Sequence, residues 1–249
     1  MFITALCPTF RHPTLLQSSL ALWNAQTYPA HLRRLVILDD GQTFDDDVGD
    51  TWELHSARQR LPSLPAKYNL LLSLAPPETD AFLVWEDDDT YLPEYVAAHA
   101  ATLQNHELSH PRYVLSDYTG YLVAEPAAGR FHSALGFRRS LIERIGGWPV
   151  TDRADFDQQL QTALHAAAAS KGDPFASPAS NNPWKIPYVY GWHTGHAHCQ
   201  STMLSPADEL WYFRGAQAYA EVPHVGRLVA RYDERTLRIL AAIGEGSGF

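Results

Sequence analysis

Short apolar runs alternate along this chain with segments whose apolar residues recur at helical spacing. The runs cover residues 2–6, 35–38 and 81–85, and each is closed by a proline or by acidic residues. Continuous apolar runs of this length are typical of strands buried on both faces of a sheet. Between the first two runs, leucines and Trp23 recur with the period of a helix. The order strand, helix, strand predicts an α/β fold with a mostly parallel central sheet flanked by helices.

The rest of the pattern predicts further helices and a second group of strands. Helices are predicted over residues 67–74, 95–103, 139–145 and 155–169, the third ended by Gly146 and Gly147. Strands are predicted over residues 113–116, 120–124 and 188–190, and we expect 120–124 to pair with the segment 131–137. The longest predicted loop, rich in Pro, Ser, Asn and Gly, covers residues 171–187, and a loop of that length is a candidate lid.

The composition supports a packed domain and disfavours two classes of protein. Apolar residues make up 45% and charged residues 19% of the 249 positions, too apolar a balance for intrinsic disorder. The formal net charge is −9, and no block of lysine or arginine occurs. A general nucleic-acid-binding protein needs a basic surface to neutralise phosphates, so that class is disfavoured as well.

The two cysteines, Cys7 and Cys199, are far apart and form no Cys-x-x-Cys pair. This spacing disfavours a disulfide scaffold and is typical of a reducing compartment. The N-terminal segment lacks the length and the basic flank of a signal peptide, and no stretch approaches the roughly 20 apolar residues that span a bilayer. We therefore expect a soluble, cytoplasmic protein without a membrane span.

Two acidic turns follow the candidate strands: Asp39 and Asp40 after the second run, and residues 86–89 after the third. Ligands of open α/β sheets bind beyond the carboxyl ends of the strands, where both turns fall. Four consecutive carboxylates repel one another unless a cation or a donor-rich ligand offsets their charge. Mg²⁺ and Mn²⁺ prefer carboxylate oxygens and bind diphosphates alongside, so the run predicts a metal–diphosphate site. The alternative is a solvated acidic loop.

Five motifs in one order resemble family 2 of the GT-A glycosyltransferases, over roughly residues 2–201. They are Pro8-Thr9 after the first strand, Asp39-Asp40-Gly41, Lys67-Tyr68-Asn69, the run Glu86-Asp87-Asp88-Asp89, and Tyr91-Leu92-Pro93 behind it. Each motif is weak alone, and their order gives the resemblance its weight.

The resemblance implies a GT-A fold, the fold of nucleotide-diphospho-sugar transferases, with a catalytic domain over residues 1–205. Its half 1–105 would bind the nucleotide sugar and its half 106–205 the acceptor, and 206–249 would be a C-terminal helical extension packed on the same domain. The implied reaction is transfer of a sugar, with inversion, from a UDP-sugar to a hydroxyl acceptor.

The resemblance also assigns a nucleotide-sugar site. Asp39 and Asp40 would contact the base and ribose, and Lys67 would offset diphosphate charge or lie near the base. The full set is Pro8, Thr9, Phe10, Asp39, Asp40, Lys67, Asn69, Glu86 and Asp87. From the residues alone, a capped turn at Asp39-Asp40, an exposed lysine, a core phenylalanine and a helix-capping asparagine remain open alternatives.

The implied metal ligands are Asp88, Glu86 and His198. The family motif usually reads Asp-x-Asp-Asp, and alignment on Leu92-Pro93 places Glu86 at its first position. Asp88 then binds the metal directly, Glu86 acts through water or the ribose, and Asp87 and Asp89 are variable and supporting members. His198 resembles the histidine that completes the metal shell in several GT-A enzymes. The implied cofactor is Mn²⁺ or Mg²⁺, and an imidazole ligand suits Mn²⁺ better.

The implied catalytic base follows the Gly146-Gly147-Trp148 turn, where the family carries Glu-Asp. Here Ala154 replaces the Glu, which leaves Asp155 as the first candidate and Asp157 as the second. Either carboxylate would take the proton of the acceptor hydroxyl. The alternative is that both acids only stabilise the helix dipole. Trp148 and Trp192 are candidate acceptor-side platforms for a sugar.

The acceptor and the reaction class leave alternatives open. A glycan or another hydroxyl compound is the expected acceptor, and a modified DNA base is a further candidate that the acidic balance disfavours. A nucleotidyltransferase would need a glycine-rich loop after the first strand, which is absent here. A zinc hydrolase using His193, His196 and His198 remains open. So does a non-catalytic nucleotide-sugar-binding protein, because Glu86 and Ala154 depart from the motif.

Overall fold

The computed structural model describes residues 1–116, 123–127, 129–151, 153, 155–175 and 186–191. Its helices are α1 (Pro13–Asn24), α2 (Leu64–Leu74), α3 (Tyr95–Leu103), α4 (Arg139–Ile145) and α5 (Phe156–Ala167). Its strands are β1 (Ile3–Thr9), β2 (Arg33–Asp39), β3 (Asp47–Val48), β4 (Trp52–Ser56), β5 (Ala81–Val84), β6 (Thr90–Tyr91), β7 (Leu108–Ser109), β8 (Tyr113–Ser116), β9 (Val123–Pro126), β10 (Gly136–Arg138), β11 (Lys171–Gly172) and β12 (Tyr188–Tyr190).

A large sheet with the strand order β11-β7-β10-β5-β1-β2-β4-β3 forms the centre of the fold. β1 is parallel to β2 and β5, and β2 is parallel to β4. Every residue of β1 and β5 is buried, as expected of strands covered on both faces. The three predicted apolar strands and the mostly parallel α/β arrangement are confirmed.

Helices cover both faces of this sheet. Leu16 and Trp23 of α1 and Tyr95 of α3 pack in one apolar cluster. Tyr68 of α2 and Leu160 of α5 pack in a second cluster, together with α4. The alternation of β1 side chains between the two clusters follows from the pleat of a strand, which points neighbouring residues to opposite faces.

A smaller sheet has the order β6-β12-β8-β9, and its strand β6 is the next strand after β5 in the chain. The expected pairing of 120–124 with 131–137 is wrong, since β9 pairs with β8. β10 instead enters the large sheet between β5 and β7, antiparallel to both. The physical reason is burial: Phe137 is fully buried beside Phe82, with ring centroids 6.1 Å apart.

Local signals account for most helix boundaries. α2 begins at Leu64, earlier than its apolar spacing indicates, because Ser63 caps it by accepting a hydrogen bond from Ala66 N at 3.3 Å. α4 ends at Gly146, whose φ of 81° lies in the left-handed region that favours glycine. The half-buried strand β4, beside β2, was missed, because its residues lack a continuous apolar run.

Several predicted segments lie outside the described residues. They include the extension 206–249, the histidine-rich segment after Gly191 and most of the loop 171–187, of which Lys171 and Gly172 form β11. The division into domain halves and the lid therefore stay predictions. Within the part of the chain that the structure describes, no helix combines the length and the apolar character needed to cross a membrane.

Candidate active site

The acidic turn follows β5 directly and is held by an aromatic group beneath it. Trp85 is fully buried, and its Nε1 donates a 2.7 Å hydrogen bond to Ser19 Oγ. Its ring stacks on Tyr91, just beyond the turn, with centroids 3.8 Å apart. Tyr91 Oη in turn accepts a hydrogen bond from Glu86 N at 2.7 Å. The turn therefore leaves the large sheet at the end of β5 over a packed aromatic base and enters the smaller sheet at β6.

Three carboxylates of this turn converge. Glu86, Asp88 and Asp89 each offer an oxygen, and these oxygens lie within 4.8 Å of one another. Such a group of hard oxygen donors fits a divalent cation of the Mg²⁺ or Mn²⁺ type. The structure thus brings the predicted ligands Glu86 and Asp88 together and adds Asp89, for which the sequence indicated only a supporting place.

Asp89 is the buried member of the group, with 4% of its surface exposed. Its Oδ2 accepts a hydrogen bond from Tyr188 Oη at 2.7 Å, and its Oδ1 accepts one from Gly191 N at 2.9 Å. Burial raises its pKa well above the ordinary value, and the charges of Asp88 and Glu86 raise it further. A cation bound here would relieve that repulsion.

Asp87 turns away from the group toward the loop after β1. Its Oδ2 accepts a hydrogen bond from Thr9 Oγ1 at 2.5 Å and lies 3.7 Å from His12 Nδ1. Burial raises the pKa of Asp87, while the hydrogen bond to Asp87 raises that of His12. Thr9, a predicted donor-site residue, is thus tied to the acidic turn.

Glu86 lies within an aromatic network that the sequence did not reveal. Its Oε1 accepts a 3.2 Å hydrogen bond from Tyr68 Oη and lies 3.4 Å from His132 Nδ1. His132 Nε2 accepts a hydrogen bond from Trp148 Nε1 at 3.0 Å. Burial lowers the pKa of His132 to about 4, so the ring is neutral at physiological pH. No motif or spacing marked His132, because a single histidine carries no pattern.

Asp39, at the end of β2, is fully buried and organises its own loop. Its Oδ1 accepts a hydrogen bond from Gly41 N, and its Oδ2 accepts hydrogen bonds from Thr43 N and Phe44 N. This geometry is the capped turn that the sequence left open as an alternative. Asp39 is also the strand partner of Thr9, so the loops after β1 and β2 lie side by side.

Asp40 forms a buried ion pair with Lys67, which excludes the exposed-lysine alternative. Lys67 is 2% exposed, and its Nζ contacts Asp40 Oδ1 and donates a 2.8 Å hydrogen bond to Thr9 O. Asp40 Oδ2 also accepts a hydrogen bond from Leu61 N at 3.0 Å. The pair therefore connects α2 to the loops after β1 and β2.

Phe10 is half-buried beside these loops, and cations surround its ring. The Cζ atoms of Arg60 and Arg11 lie 4.1 and 5.2 Å from the ring centroid, and Lys67 Nζ lies 5.9 Å away. Pro8 precedes it as a buried residue of β1. A partly exposed ring with basic neighbours is suited to a nucleotide, whose base stacks and whose phosphates are anionic.

Asn69 and Trp148 form a clamp rather than an open surface. Asn69 Oδ1 accepts a hydrogen bond from Trp148 N at 2.8 Å, and its Nδ2 donates one to Trp148 O at 3.0 Å. A side chain on Gly147 would meet Asn69 Oδ1 at 2.5 Å, and its φ of 90° favours glycine. Trp148 is 1% exposed and stacks on Tyr68 at 4.6 Å. Its ring presents no open face to a sugar.

Comparison with solved structures places this arrangement in a known fold. S. aureus TarS 1–349 matches with a TM-score of 0.63 and 15% identity, covering 99% of this chain and 71% of that one. Its complex with UDP-GlcNAc matches with a TM-score of 0.62 and 17% identity, covering 99% and 72%. The mannosyltransferase PcManGT from Pyrobaculum calidifontis, in complex with GDP-Man and Mn²⁺, matches with a TM-score of 0.58 and 16% identity, covering 97% and 69%.

The fold is that of the GT-A glycosyltransferases. No protein-family profile matches the sequence, and no curated protein does. The likeness is therefore one of fold, and the acidic turn of this chain lies beyond the carboxyl end of a central strand of that fold, where ligands of open α/β sheets bind.

The two candidate bases occupy different positions at the start of α5. Both oxygens of Asp155 accept hydrogen bonds from Arg153, at 2.9 and 2.8 Å, and Gln159 Nε2 donates a third at 2.9 Å. These contacts lower the pKa of Asp155, the Arg153 bond most. Asp157 lies in the first turn of α5, and its charge acts on His132 to raise the histidine pKa. Of the two acids, Asp157 is the one whose charge acts on a residue of the Glu86 network.

Two predicted residues of the GT-A site lie outside the described residues: the metal ligand His198 and the acceptor-side Trp192. Ala154, which replaces the family's Glu, also lies outside them. The predictions made for these positions stay predictions.

Proposed function

We propose that this protein is a metal-dependent, inverting glycosyltransferase that moves a sugar from a UDP-sugar to a hydroxyl acceptor. One observation supports the proposal most strongly: the oxygens of Glu86, Asp88 and Asp89 converge within 4.8 Å beyond a central strand of a GT-A fold. The TarS structures with UDP-GlcNAc and with UDP support the choice of donor.

The charges of the site support the need for a cation. Burial and neighbouring carboxylates raise the pKa of Asp89, so the group resists holding all of its negative charges together. Glu86, Asp88 and Asp89 would hold Mn²⁺ or Mg²⁺, and His198 is assigned as a further ligand. When bound, the cation would neutralise charge on the departing diphosphate.

The donor half of the site is assigned to the loops after β1 and β2. Lys67, paired with Asp40 and bonded to Thr9 O, fixes the two loops beside the acidic turn. Phe10, with Arg11 and Arg60 against its ring, is assigned to the nucleotide. Asp39 shapes the loop after β2, because both of its carboxylate oxygens accept hydrogen bonds from the backbone of that loop.

Asp157 is assigned as the catalytic base in preference to Asp155. The acceptor hydroxyl attacks the anomeric carbon, its proton passes to the Asp157 carboxylate, and the electron pair of the broken carbon–oxygen bond leaves with the diphosphate. Asp155 is less suited, because Arg153 occupies both of its oxygens and lowers its pKa. The loop 171–187 is assigned as a lid over the donor.

A thermal-shift panel tests the proposal. UDP, UDP-GlcNAc and GDP-Man are each added with and without Mn²⁺, and stabilisation reports binding directly. We expect Mn²⁺-dependent stabilisation by the UDP compounds and slow release of UDP from the sugar. Asp88→Asn should remove the Mn²⁺ dependence, whereas Asp50→Asn, at an exposed acid beyond β3, should not.

Three results would contradict the proposal, one from this panel and two from the metal content of the purified protein and from a turnover assay. Purified protein that retains zinc and gains nothing from Mn²⁺ would favour a hydrolase. A UDP-sugar that binds and is never broken down, with any acceptor, would favour a non-catalytic binding protein. Equal loss of Mn²⁺ dependence in Asp88→Asn and Asp50→Asn would show that residues 86–89 do not form the metal site.

A further inference from the structure

A short 3₁₀ turn, His132–Ala134, lies against the acidic turn although the chain between them contains β7, β8 and β9. Two hydrogen bonds place it there. Val84 N, at the end of β5, donates to Leu135 O at 3.0 Å, and Tyr95 Oη donates to Ser133 O at 3.0 Å. The segment is therefore fixed to the strand from which the acidic turn departs.

Neighbouring residues of this turn reach two different carboxylates. His132 Nδ1 lies 3.4 Å from Glu86 Oε1. Ser133 Oγ lies 2.5 Å from Tyr188 Oη, which itself donates to Asp89 Oδ2. Ser133 also hydrogen-bonds to the Asp89 carboxylate directly. The turn thus supports both Glu86 and Asp89.

The backbone before the turn adopts a conformation that its side chain disfavours. Phe131 has a φ of 57°, in the left-handed region, which is an outlier for a bulky residue. Its ring is buried against Tyr190, with centroids 5.0 Å apart, and packing holds the conformation. Such outliers persist where the surroundings determine them and cluster at functional sites. Here the outlier immediately precedes His132 and Ser133, the residues that contact the carboxylates and Tyr188.

The ring of His132 has a defined tautomer. Indole nitrogen is a donor only, so the Trp148 Nε1 contact requires a lone pair on His132 Nε2. In the neutral ring the proton then lies on Nδ1, the atom that faces Glu86. His132 therefore directs a proton, not a lone pair, at the metal site, and acts through Glu86.

We propose that His132 is a positioning residue of the metal site, which holds the carboxylate of Glu86 through Nδ1–H while Trp148 fixes the ring from the other side. This explains how a glutamate serves where the family motif has aspartate, because the longer side chain is restrained by His132 and Tyr68. The inference rests on the metal site of the proposed function, but not on the sugar-transfer reaction.

Mn²⁺ binding to the protein without any nucleotide tests the proposal, with the free ion measured by electron paramagnetic resonance. Removing a group that orients a metal ligand typically weakens metal binding about 10-fold to 100-fold. We expect His132→Leu to raise the Mn²⁺ dissociation constant by about tenfold or more. His132→Asn, which keeps a donor near the Nδ1 position, should recover most of the loss.

The matched control is His99, another buried histidine, whose Nδ1 hydrogen-bonds with Ser109 Oγ instead of a carboxylate. His99→Leu should leave Mn²⁺ binding at the level of the unsubstituted protein. A folded His132→Leu protein with unchanged Mn²⁺ binding would overturn the proposal. Equal losses of Mn²⁺ binding in His132→Leu and His132→Asn would overturn it as well. If the leucine variant does not fold, the asparagine variant is compared directly with the unsubstituted protein and should keep most of its Mn²⁺ binding.

Nitrogen-15 NMR of the metal-free protein tests the tautomer independently. We expect a protonated Nδ1 and an unprotonated Nε2 at His132, and a changed Nε2 shift in Trp148→Phe. A protonated Nε2 in the unsubstituted protein would overturn the arrangement. If His132→Leu weakens Mn²⁺ binding but no UDP-sugar is ever turned over, the proposed function fails while this inference stands.

Discussion

The hydroxyl of Tyr188 donates a 2.7 Å hydrogen bond to the buried carboxylate of Asp89. This contact joins the acidic turn to β12, the strand that leads toward the segment containing His198. Gly191 N adds a second donor to the same carboxylate. Asp89 therefore has two tasks, since it offers an oxygen to the candidate metal site and anchors the end of β12.

Tyr188→Phe tests the anchoring task. The ring remains, but a buried carboxylate loses a donor, which typically costs about 1–3 kcal/mol. We expect the free energy of unfolding of the metal-free protein to fall by about that amount in urea denaturation. Tyr113→Phe, at a half-buried tyrosine of β8, is the control and should change little. Equal effects of the two substitutions would argue against the anchor.

Lys67→Met tests the buried ion pair. Removing one partner leaves the charge of Asp40 buried and uncompensated, which typically destabilises a protein by about 3–5 kcal/mol. We expect the double variant Lys67→Met/Asp40→Asn to be more stable than Lys67→Met alone, as measured by urea denaturation. If the double variant is the less stable of the two, the contact between Lys67 and Asp40 is not the source of the loss.

Asp157→Asn and Asp155→Asn separate the two candidate bases. Loss of a general base typically lowers a rate roughly 10²-fold to 10⁴-fold. We expect that loss in kcat for Asp157→Asn, and a loss of less than about tenfold for Asp155→Asn, since Arg153 already occupies Asp155. Release of UDP from the donor measures both. The reverse order would return the role to Asp155.

His99→Asn tests a pH dependence of stability. Burial lowers the pKa of His99 to about 3 in the folded protein, against about 6.5 in the unfolded chain. Between these values the unfolded chain binds the proton and the folded protein does not. The contribution of neutral His99 to the free energy of unfolding is therefore present above pH 6.5 and is lost as the pH falls. The loss is about 2 kcal/mol between pH 7 and pH 5.

The asparagine variant cannot titrate, so its loss of stability over the same range should be smaller by about 2 kcal/mol. Urea denaturation at pH 7 and pH 5 measures the difference between the two proteins. Identical pH dependence would show that His99 is accessible to protons in the folded state, contrary to its full burial.

The sequence by itself determined the strands β1, β2 and β5 and the place of the acidic turns after β2 and β5. These features are local: a continuous apolar run predicts a buried strand, and parallel strands bring their carboxyl ends to one edge. The order of the motifs along the chain also predicted the GT-A fold. The sequence also predicted that Glu86 and Asp88 lie close together, because both belong to one short turn.

Only the tertiary structure decided which residues hold that turn in place. Tyr188 is 99 positions from Asp89, and His132 is 46 positions from Glu86. A hydrogen bond over such a separation leaves no periodic pattern in the chain. Burial likewise shows that Lys67 is a buried ion-pair partner and not an exposed lysine. It also shows that Trp148 is a packed support for His132 and not an open platform for a sugar. Both distinctions depend on what surrounds a side chain, and that is settled only when distant elements pack together.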